Sequence, residues 1–242
     1  MTLAFAVAVR IKKNSVADVA WGLGFIVSAA VGLIYTNTCA SRQLLGLTLV
    51  ILWGLRLAVH IYFRNKGKGE DYRYTDMAEK GGSGLLKTYR SVFLSQGALL
   101  LIVGLPLTVL NATPVQSGLN LLDYIGTAIW IVGFIFEALG DLQLLQFIRI
   151  KDNKGKILMS GVWNYSRHPN YFGELTQWWG LGLIALNVSY GWVGLIGPIA
   201  ITYLIVFVSG VPLLEKHYDG NTAYEAYRKR TSILVPLPPR KV

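Results

Sequence analysis

Long apolar segments separated by short polar ones make up most of this chain. A helix needs about 20 predominantly apolar residues to cross the hydrocarbon layer of a bilayer, and these segments reach that length. The pattern predicts helical spans at roughly 16–35, 43–63, 91–110, 121–147, 172–187 and 191–214. The leading segment MTLAFAVAVR is too short to span and is interpreted as a clipped helix or an interfacial stub. We therefore expect an all-α integral membrane fold with about six to seven transmembrane helices.

Composition agrees with this pattern. Hydrophobic residues make up 53% of the 242 residues and charged residues 15%, and the mean hydropathy is +0.44. Soluble domains usually carry about 25% charged residues, so a soluble all-α bundle is the weaker interpretation. The one cysteine, Cys39, excludes an intrachain disulfide and a cysteine-based metal cluster, and no metal site is predicted. Since neither an internal repeat nor an interdomain linker is evident, residues 1–242 are expected to form one domain.

Basic residues alternate between the two sides of the predicted spans. All Lys and Arg except Arg42 and Arg56 lie before the first span, at 64–90, at 148–171 or after residue 214. The positive-inside rule places these loops and the C-terminus in the cytoplasm. Topology and contact with anionic lipid headgroups then explain the net charge of +10. No nucleic-acid partner is predicted, because the basic residues form no single stripe with interleaved aromatics.

Ionisable residues inside the predicted spans are candidate functional groups, because a charged side chain in a bilayer is costly unless it is paired or hydrated. Glu137 and Asp141 are four residues apart, so they share one helix face. They predict a site for a ligand or cation, with a hydrated bundle interior as the alternative. His60 is either a catalytic residue or a satisfied core histidine. Asp18 lies near the start of the first span, where Ser15 is expected to cap the helix.

The densest group of polar residues is the segment YSRHPNYFGE, at 165–174. Pro169 suits the first turn of a helix, so this segment is expected to open the fifth span. Arg167 and His168 precede that turn and can hold a phosphate or another anion beside the exposed N–H groups of the helix. The segment therefore predicts an anion-binding site at the membrane edge.

Three further residues of this segment suit a nucleotide. Tyr171 can stack on a planar ring, Asn170 can hydrogen-bond amide or hydroxyl edges, and Glu174 can accept from a ribose or pair with a cation. An interfacial belt of Tyr, Trp and Arg is the structural alternative, although it would not require His, Asn and Glu together. The common dinucleotide and mononucleotide fingerprints are absent, so any nucleotide must be bound by membrane helices and their loops.

The segment YSRHPNYFGE resembles the C-terminal signature of the steroid 5α-reductase family, in particular its bacterial branch. The similarity extends to NSVADVAWGLGF (14–25), WGLRLAVHIYFRNKGKGEDYRY (53–74), EALGDLQLLQF (137–147) and YEAYRKRTSILVPLPP (224–239). The core R-H-P-x-Y is shared with isoprenylcysteine carboxyl methyltransferases and sterol reductases. It therefore marks a superfamily more firmly than a reaction.

The resemblance implies a cofactor cavity that opens to the cytoplasm and holds NADPH between the C-terminal helices and loops. It implies a multi-pass protein of the bacterial inner membrane, with membrane lipids and a lipophilic small molecule as its partners. Together with the residue chemistry above, it gives the predicted cofactor-binding residues, which are Glu137, Asp141, Arg149, Arg167, His168, Asn170, Tyr171, Glu174, Lys216 and Tyr227.

The implied reaction is NADPH-dependent reduction of a carbon–carbon double bond conjugated with a carbonyl. Such a reaction needs a donor that stabilises the negative charge developing on the carbonyl oxygen. The family's carbonyl-polarising Glu has no clear match, Asp18 being the nearest candidate, and its Tyr falls near His60 to Tyr62, so the predicted catalytic residues are His60, Tyr62 and a protonated Asp18.

Two other functions remain open from the sequence. A membrane methyltransferase that uses S-adenosylmethionine is the first alternative. Methyltransferases of the superfamily typically carry paired Glu near the tail, whereas LLEKHY holds only Glu215, which favours the reductase. A transporter or a non-catalytic lipid-binding protein is the second alternative. A transporter would predict inverted repeats or broken helices at the midplane, and neither is evident.

Overall fold

The fold is helical throughout the part of the chain that the computed structural model describes, namely residues 1–67, 69–70, 84–113 and 118–241. Much of the basic loop predicted at 64–90 lies outside the described residues. Within them there is no β-strand, and one isolated parallel bridge joins Ser166 and Ser232. The prediction of an all-α membrane protein is confirmed.

Nine helical segments are given labels here in chain order within those described ranges. They are α1 (Thr2–Ile11), α2 (Val16–Thr36), α3 (Ser41–Asn65), α4 (Leu85–Val103), α5 (Leu105–Ala112), α6 (Leu121–Arg149), α7 (Pro169–Ala185), α8 (Gly191–His217) and α9 (Thr222–Arg230). Two 3₁₀ turns, Lys151–Asn153 and Gly161–Asn164, lie between α6 and α7.

The number of membrane spans is smaller than predicted. Among the described residues, α2, α3, α6 and α8 are long and apolar enough to cross a bilayer, and α4 with α5 adds a fifth if this pair, bent by 55°, is one span. The predicted span at 172–187 corresponds to α7, which has only 17 residues. Gln177 and much of the apolar surface of this helix are buried, so apolar composition does not mean exposure to lipid here. The described residues thus hold four or five helices of spanning length, somewhat fewer than the six to seven spans predicted.

The helices fall into two compact units. The first comprises Met1–Leu119 with Val188–Gly194, and the second comprises Asn120–Asn187 with Leu195–Val242. The expectation of one domain over residues 1–242 stays a prediction.

In the first unit, α2 and α3 approach each other closely at Gly22 and Gly54. A Cβ atom added to Gly22 would lie 2.6 Å from the carbonyl oxygen of Gly54, and one on Gly54 would lie 2.6 Å from that of Gly22. Phe25 and Trp53 pack edge to face beside this contact, with ring centroids 5.5 Å apart. Since a short connection joins α2 to α3, the pair is antiparallel, and the glycine contact fixes its register.

The start of α2 is capped by a distant carboxylate. Glu70 accepts hydrogen bonds from the backbone N–H groups of Asn14 and, at 3.1 Å, of Ser15. Ser15 is the N-cap residue, but its side chain makes no capping hydrogen bond, so the predicted Ser15 cap is wrong. A carboxylate at this position satisfies exposed N–H groups and suits the positive end of the helix dipole.

Arg42, one of the two basic residues outside the basic loops, is fully buried in the first unit. Its guanidinium Nη2 donates to the carbonyl oxygen of Gly118 at 3.0 Å. The surface of this side of the molecule is therefore poorer in positive charge than the sequence alone indicates. This observation agrees with the unequal distribution of basic residues from which the topology was predicted. The orientation of the protein in the membrane stays a prediction.

In the second unit, α6 and α7 are packed backbone to backbone through glycines spaced by seven residues. These are Gly126, Gly133 and Gly140 on α6, facing Gly173 and Gly180 on α7. A Cβ on Gly126 would lie 2.7 Å from the carbonyl oxygen of Gly180, and one on Gly133 would lie 2.6 Å from that of Gly173. Such small residues let two membrane helices approach closely, which fixes the relative depth of every side chain on the two facing surfaces.

One end of this helix pair is locked by hydrogen bonds. The Asn120 side chain accepts from the backbone N–H of Leu122 at 3.0 Å, and Asp123 accepts in return from the Asn120 N–H at 2.9 Å. Asn187, just beyond α7, donates to the other Asp123 oxygen at 2.9 Å. The α6 cap is thus tied to the end of α7, which leaves the opposite end of the pair to carry the polar residues of interest.

Candidate functional site

A row of polar side chains lies between α6 and α7, at the end of the pair opposite to the cap. Glu137 and Asp141 are buried, with 3% and 8% exposure. The Asn170 Nδ2 donates to Asp141 Oδ1 at 3.2 Å, and the Gln177 Nε2 donates to Glu137 Oε2 at 2.5 Å. The structure thus brings together two carboxylates and two amides that the sequence separates by tens of residues.

The glycines of the helix interface create this row. A Cβ on Gly140 would lie 3.1 Å from the backbone nitrogen of Asn170, and one on Gly133 would lie 2.7 Å from that of Gln177. A Cβ on Gly173 would lie 2.7 Å from the Cβ of Glu137. Glu137, Asn170 and Gln177 therefore each sit beside a glycine of the opposite helix. A larger residue there would push the carboxylates and amides apart.

Gln177 is a member of the row that the sequence analysis missed. It is 2% exposed, and its Oε1 has no hydrogen-bond partner among the described residues. A buried amide oxygen without a donor costs about 1–3 kcal/mol, which a water or ligand donor would offset. The signal for it was available, since Asn170, Glu174 and Gln177 recur at helical spacing on one face.

A second polar group, centred on Glu215, holds Arg167 and His168. Glu215 Oε1 accepts from Arg167 Nε at 2.8 Å and from the Tyr224 hydroxyl at 2.9 Å, and His168 Nε2 lies 3.1 Å away. Glu215 Oε2 lies 3.1 Å from Arg228 Nε. We call these five residues the Glu215 cluster. Its carboxylate receives donors from the start of α7 and from α9, which is the geometry of a buried, multiply hydrogen-bonded ion pair.

Arg167 Nη2 also donates to Glu215, at 3.3 Å from Oε2, and its Nη1 binds backbone carbonyls of the C-terminal tail, residues 222–241. Its Nη1 donates to Thr231 O at 2.6 Å and to Arg228 O at 3.2 Å, and the guanidinium is buried. The predicted contacts of Arg167 and His168 with a phosphate stay predictions. Their contacts in this structure are with the Glu215 cluster and the tail.

Tyr224 completes the cluster as a neutral donor. Burial raises the pKa of the Tyr224 hydroxyl above its ordinary value, and the negative charge of Glu215 raises it further. The phenol therefore stays protonated at neutral pH and can donate to the carboxylate. Its ring is also fixed, because it stacks on Tyr218 with ring centroids 4.4 Å apart.

The tail runs alongside the segment that opens α7. The Ser166 hydroxyl donates to Leu234 O at 2.7 Å, and the Arg167 N–H donates to Ser232 O at 2.8 Å. The Leu237 N–H donates to Tyr165 O at 3.0 Å. These bonds fasten residues 232–237 to residues 165–167, so the two segments move together.

Four other predicted cofactor residues of the second unit differ in their exposure and in their contacts. Tyr171 is half-buried and stacks on His168, with ring centroids 5.6 Å apart and an interplanar angle of 13°. Tyr227 is buried, and its hydroxyl donates to the carbonyls of Trp163 and Ser166. Arg149 and Lys216 are exposed at the ends of α6 and α8. Arg149 and Lys216 are therefore available to a ligand, whereas the hydroxyl of Tyr227 is occupied inside the protein.

The three predicted carbonyl donors lie in the first unit. His60 and Tyr62 are two residues apart on α3, so they leave the helix on nearly opposite sides and cannot serve one carbonyl oxygen together. Tyr62 is 54% exposed, whereas His60 and Asp18 are half-buried. The Gly22–Gly54 contact places Asp18 and His60 at similar levels of the antiparallel pair, since each residue advances a helix by about 1.5 Å. The roles of His60, Tyr62 and Asp18 as carbonyl donors stay predictions.

These features define an integral membrane protein built on a glycine-packed helix pair with a buried polar row. Residues 4–231 match the model of a family described as "Protein of unknown function (DUF1295)". The chain belongs to this family, which is steroid 5α-reductase-like. The resemblance inferred from the sequence is confirmed.

Relatives at low sequence identity support the same family assignment. The chain is similar to 3-oxo-5-alpha-steroid 4-dehydrogenase 1 of Bos taurus, at 25% identity over 112 residues, which are 46% of this chain and 40% of that protein. It is similar to the Homo sapiens protein of the same name at 28% identity over 113 residues, which are 47% of this chain and 40% of that protein. The chain thus spans well under half the length of these relatives. No solved structure matches.

Proposed function

We propose that this protein is a membrane-embedded, NADPH-dependent reductase of a conjugated carbon–carbon double bond in a lipophilic enone, of steroid-like, isoprenoid or other lipid type. The observation that carries the proposal is the buried row formed by Glu137, Asp141, Asn170 and Gln177 in a steroid 5α-reductase-like chain. Carboxylates and amides inside an apolar helix pair are costly unless they serve a ligand or a polar path.

The residues of the row fit the polar groups of a dinucleotide. Asp141 and Glu174 can accept from ribose hydroxyls, and the unpartnered Gln177 Oε1 can accept from a carboxamide N–H. Tyr171 offers a ring face for stacking. The exposed basic residues at the nearby helix ends suit a phosphorylated nucleotide, and they are Arg149, Lys151, Lys154, Lys156 and Lys216.

When bound, NADPH supplies a hydride to the β-carbon of the enone. The chain's own task is then to stabilise the negative charge that moves onto the carbonyl oxygen and to let a proton reach the α-carbon. His60, supported by Asp18, is proposed as the donor to that oxygen. The apolar bundle excludes water and suits a substrate that enters from the bilayer. In this proposal the C-terminus is cytoplasmic and the membrane is the bacterial inner membrane.

The methyltransferase alternative needs a carboxylate for the cationic methionine end of S-adenosylmethionine. Glu215 is the acidic residue at the corresponding tail position, and it already binds Arg167, His168 and Tyr224. The geometry therefore favours the reductase.

The histidine at position 60 provides the test of the chemistry. We expect His60→Ala to lower kcat by about 10²–10³-fold, which is the usual cost of removing one oxyanion donor. The affinity for NADPH should not change, since the donor acts on the substrate. The assay is NADPH oxidation by purified protein with a panel of sterol, isoprenoid and long-chain enones.

His217→Ala is the matched control, because His217 is an exposed histidine at the end of α8. It should retain the wild-type turnover. Turnover of His60→Ala within about twofold of the His217→Ala value would remove His60 from the mechanism, because a lost oxyanion donor costs far more.

A further inference from the structure

We propose that Glu215 is the positioning residue of the cofactor site. It holds Arg167 and His168 in place, so that Asn170 and Tyr171 point towards the nucleotide. It also links the position of the C-terminal tail to the position of these two residues. The inference rests on the proposed function, because it assigns a role at the same site.

Hydrogen-bond donors from two segments of the chain converge on the buried carboxylate of Glu215. Glu215 is 7% exposed, and its two oxygens together receive Arg167, His168, Tyr224 and Arg228. Two of these donors come from the segment that opens α7, and the other two come from α9. A carboxylate that only stabilised the fold could be exchanged, with its partners, for apolar residues at little cost. Directional bonds to two separate segments instead fix their relative geometry.

The Glu215 cluster lies next to the polar row along the chain. His168 is the N-cap residue of α7, and Asn170 and Tyr171 follow in its first turn. The His168 ring, held by Glu215, stacks on the Tyr171 ring. Asn170 is at the same time bonded to Asp141 of α6. Rotation of His168 would therefore displace the Tyr171 ring and strain the Asn170 hydrogen bond.

Arg167 links the Glu215 cluster to the C-terminal tail. Arg167, held by Glu215, donates to Thr231 O and Arg228 O, and its backbone N–H donates to Ser232 O. The same residues that set the start of α7 therefore also fasten the tail. By linkage, a nucleotide that binds the ordered segment must stabilise the docked tail, and the docked tail must raise the affinity for the nucleotide.

The chain offers a matched control for this carboxylate. Glu225 lies on α9, has a side-chain exposure of 44% and binds Arg228 at 3.1 Å, as Glu215 does. Its ion pair is with the exposed Arg228 rather than with the buried donors of α7. Glu225→Gln and Glu215→Gln therefore make the same change of charge, and only Glu215→Gln removes the carboxylate that Arg167 and His168 bind.

The experiment measures NADPH binding, turnover and hydrogen exchange in the full-length protein. We expect Glu215→Gln to weaken NADPH binding about 10–100-fold, comparable to the loss of an outer-shell partner at a ligand site. At saturating NADPH its kcat should stay within about threefold of wild type, because the chemistry lies elsewhere. NADPH should protect the amides of residues 222–237 in wild type and in Glu225→Gln, but not in Glu215→Gln.

A milder variant covers the case in which Glu215→Gln does not fold. Tyr224→Phe removes one donor to Glu215 and keeps the ring that stacks on Tyr218. It should weaken NADPH binding about 3–10-fold, which is the size of effect that one ordinary hydrogen bond typically has. Glu215→Asp should recover part of the affinity. Wild-type NADPH affinity in the folded Glu215→Gln or Tyr224→Phe variant would overturn the proposal.

Failure of the proposed function gives a different result. If the wild type binds no NADPH, the reductase proposal is wrong, and the positioning role is judged without cofactor. Glu215→Gln must then accelerate exchange at the amides of 170 and 171 by about tenfold over Glu225→Gln, since the segment loses its anchor. Equal exchange in the two variants would overturn the positioning role as well.

Discussion

Replacing Gly173 by alanine will destabilise the protein, although alanine is the better helix former. A Cβ at position 173 would lie 2.5 Å from the carbonyl oxygen of Gly133 and 2.7 Å from the Cβ of Glu137, so α7 would have to move away from α6. Overpacking of this kind costs about 1–3 kcal/mol, which exceeds the gain of roughly 1 kcal/mol from helix propensity. The midpoint of thermal unfolding in detergent should fall, and the affinity for NADPH should fall with it.

The control for this change is Gly118→Ala. No heavy atom lies within 4 Å of the position that its Cβ would occupy. The substitution should leave the unfolding midpoint near that of wild type. Equal midpoints for Gly173→Ala and Gly118→Ala would contradict the backbone contact between α6 and α7, and with it the origin of the buried polar row.

Arg167→Ala is expected to be more damaging still. It leaves Glu215 buried with fewer donors and leaves the carbonyl of Thr231 without its guanidinium donor. Removing one partner of a buried ion pair typically costs about 3–5 kcal/mol. Arg167→Lys should not restore stability, because one ammonium cannot reproduce the planar fork of donors. The measurement is the free energy or midpoint of unfolding, with limited proteolysis of the tail as a second readout.

Lys229→Ala serves as the matched loss of positive charge, because Lys229 is exposed on α9. It should change stability by less than about 0.5 kcal/mol, as surface substitutions usually do. If Arg167→Ala were as stable as Lys229→Ala and changed only the NADPH affinity, Arg167 would be a phosphate ligand, as the sequence motif suggests. That result would contradict the role of Arg167 in the Glu215 cluster.

The membrane helices were predictable from the sequence where they face lipid. The spans predicted at 16–35, 43–63, 121–147 and 191–214 correspond closely to α2, α3, α6 and α8. Hydropathy works for these helices because lipid contact demands a long apolar surface. It misassigned α7, whose apolar residues are largely buried in the protein. Composition cannot distinguish an apolar helix in lipid from one packed in a protein core.

The bend between α4 and α5 was also missed, because the number of apolar residues over 91–110 does not indicate where the helix axis changes direction. Gly104 and Pro106 stand at the bend, and both residue types weaken the helix there. The cap of α2 was misassigned for a related reason. Ser15 is adjacent in sequence, whereas the observed partner Glu70 comes from a distant loop that no local pattern identifies.

The candidate site was predicted in part. The four-residue spacing correctly placed Glu137 and Asp141 on one face, because helical periodicity is a local property. The pairing of Asp141 with Asn170 depends on the depth at which α6 and α7 meet, which the glycines set. The role of Glu215 could not be read from LLEKHY, because its donors come from segments more than forty residues away or beyond the next turn.

Ligand-induced thermal stabilisation of the purified protein tests most directly whether the polar row between α6 and α7 binds NADPH. A ligand that binds the folded state raises the unfolding midpoint in proportion to its affinity. NADPH should stabilise the wild type, and S-adenosylmethionine should not. Asn170→Ala should lose about 1–3 kcal/mol of NADPH binding, the cost of an unpaired buried group, whereas Asn164→Ala should lose little.

Asn164 is the appropriate control because its side chain binds exposed Arg230, outside the row. We expect an NADPH-dependent rise of the unfolding midpoint in the wild type and in Asn164→Ala, with a clearly smaller rise in Asn170→Ala. Stabilisation by S-adenosylmethionine with none by NADPH would contradict the account and identify the protein as a methyltransferase.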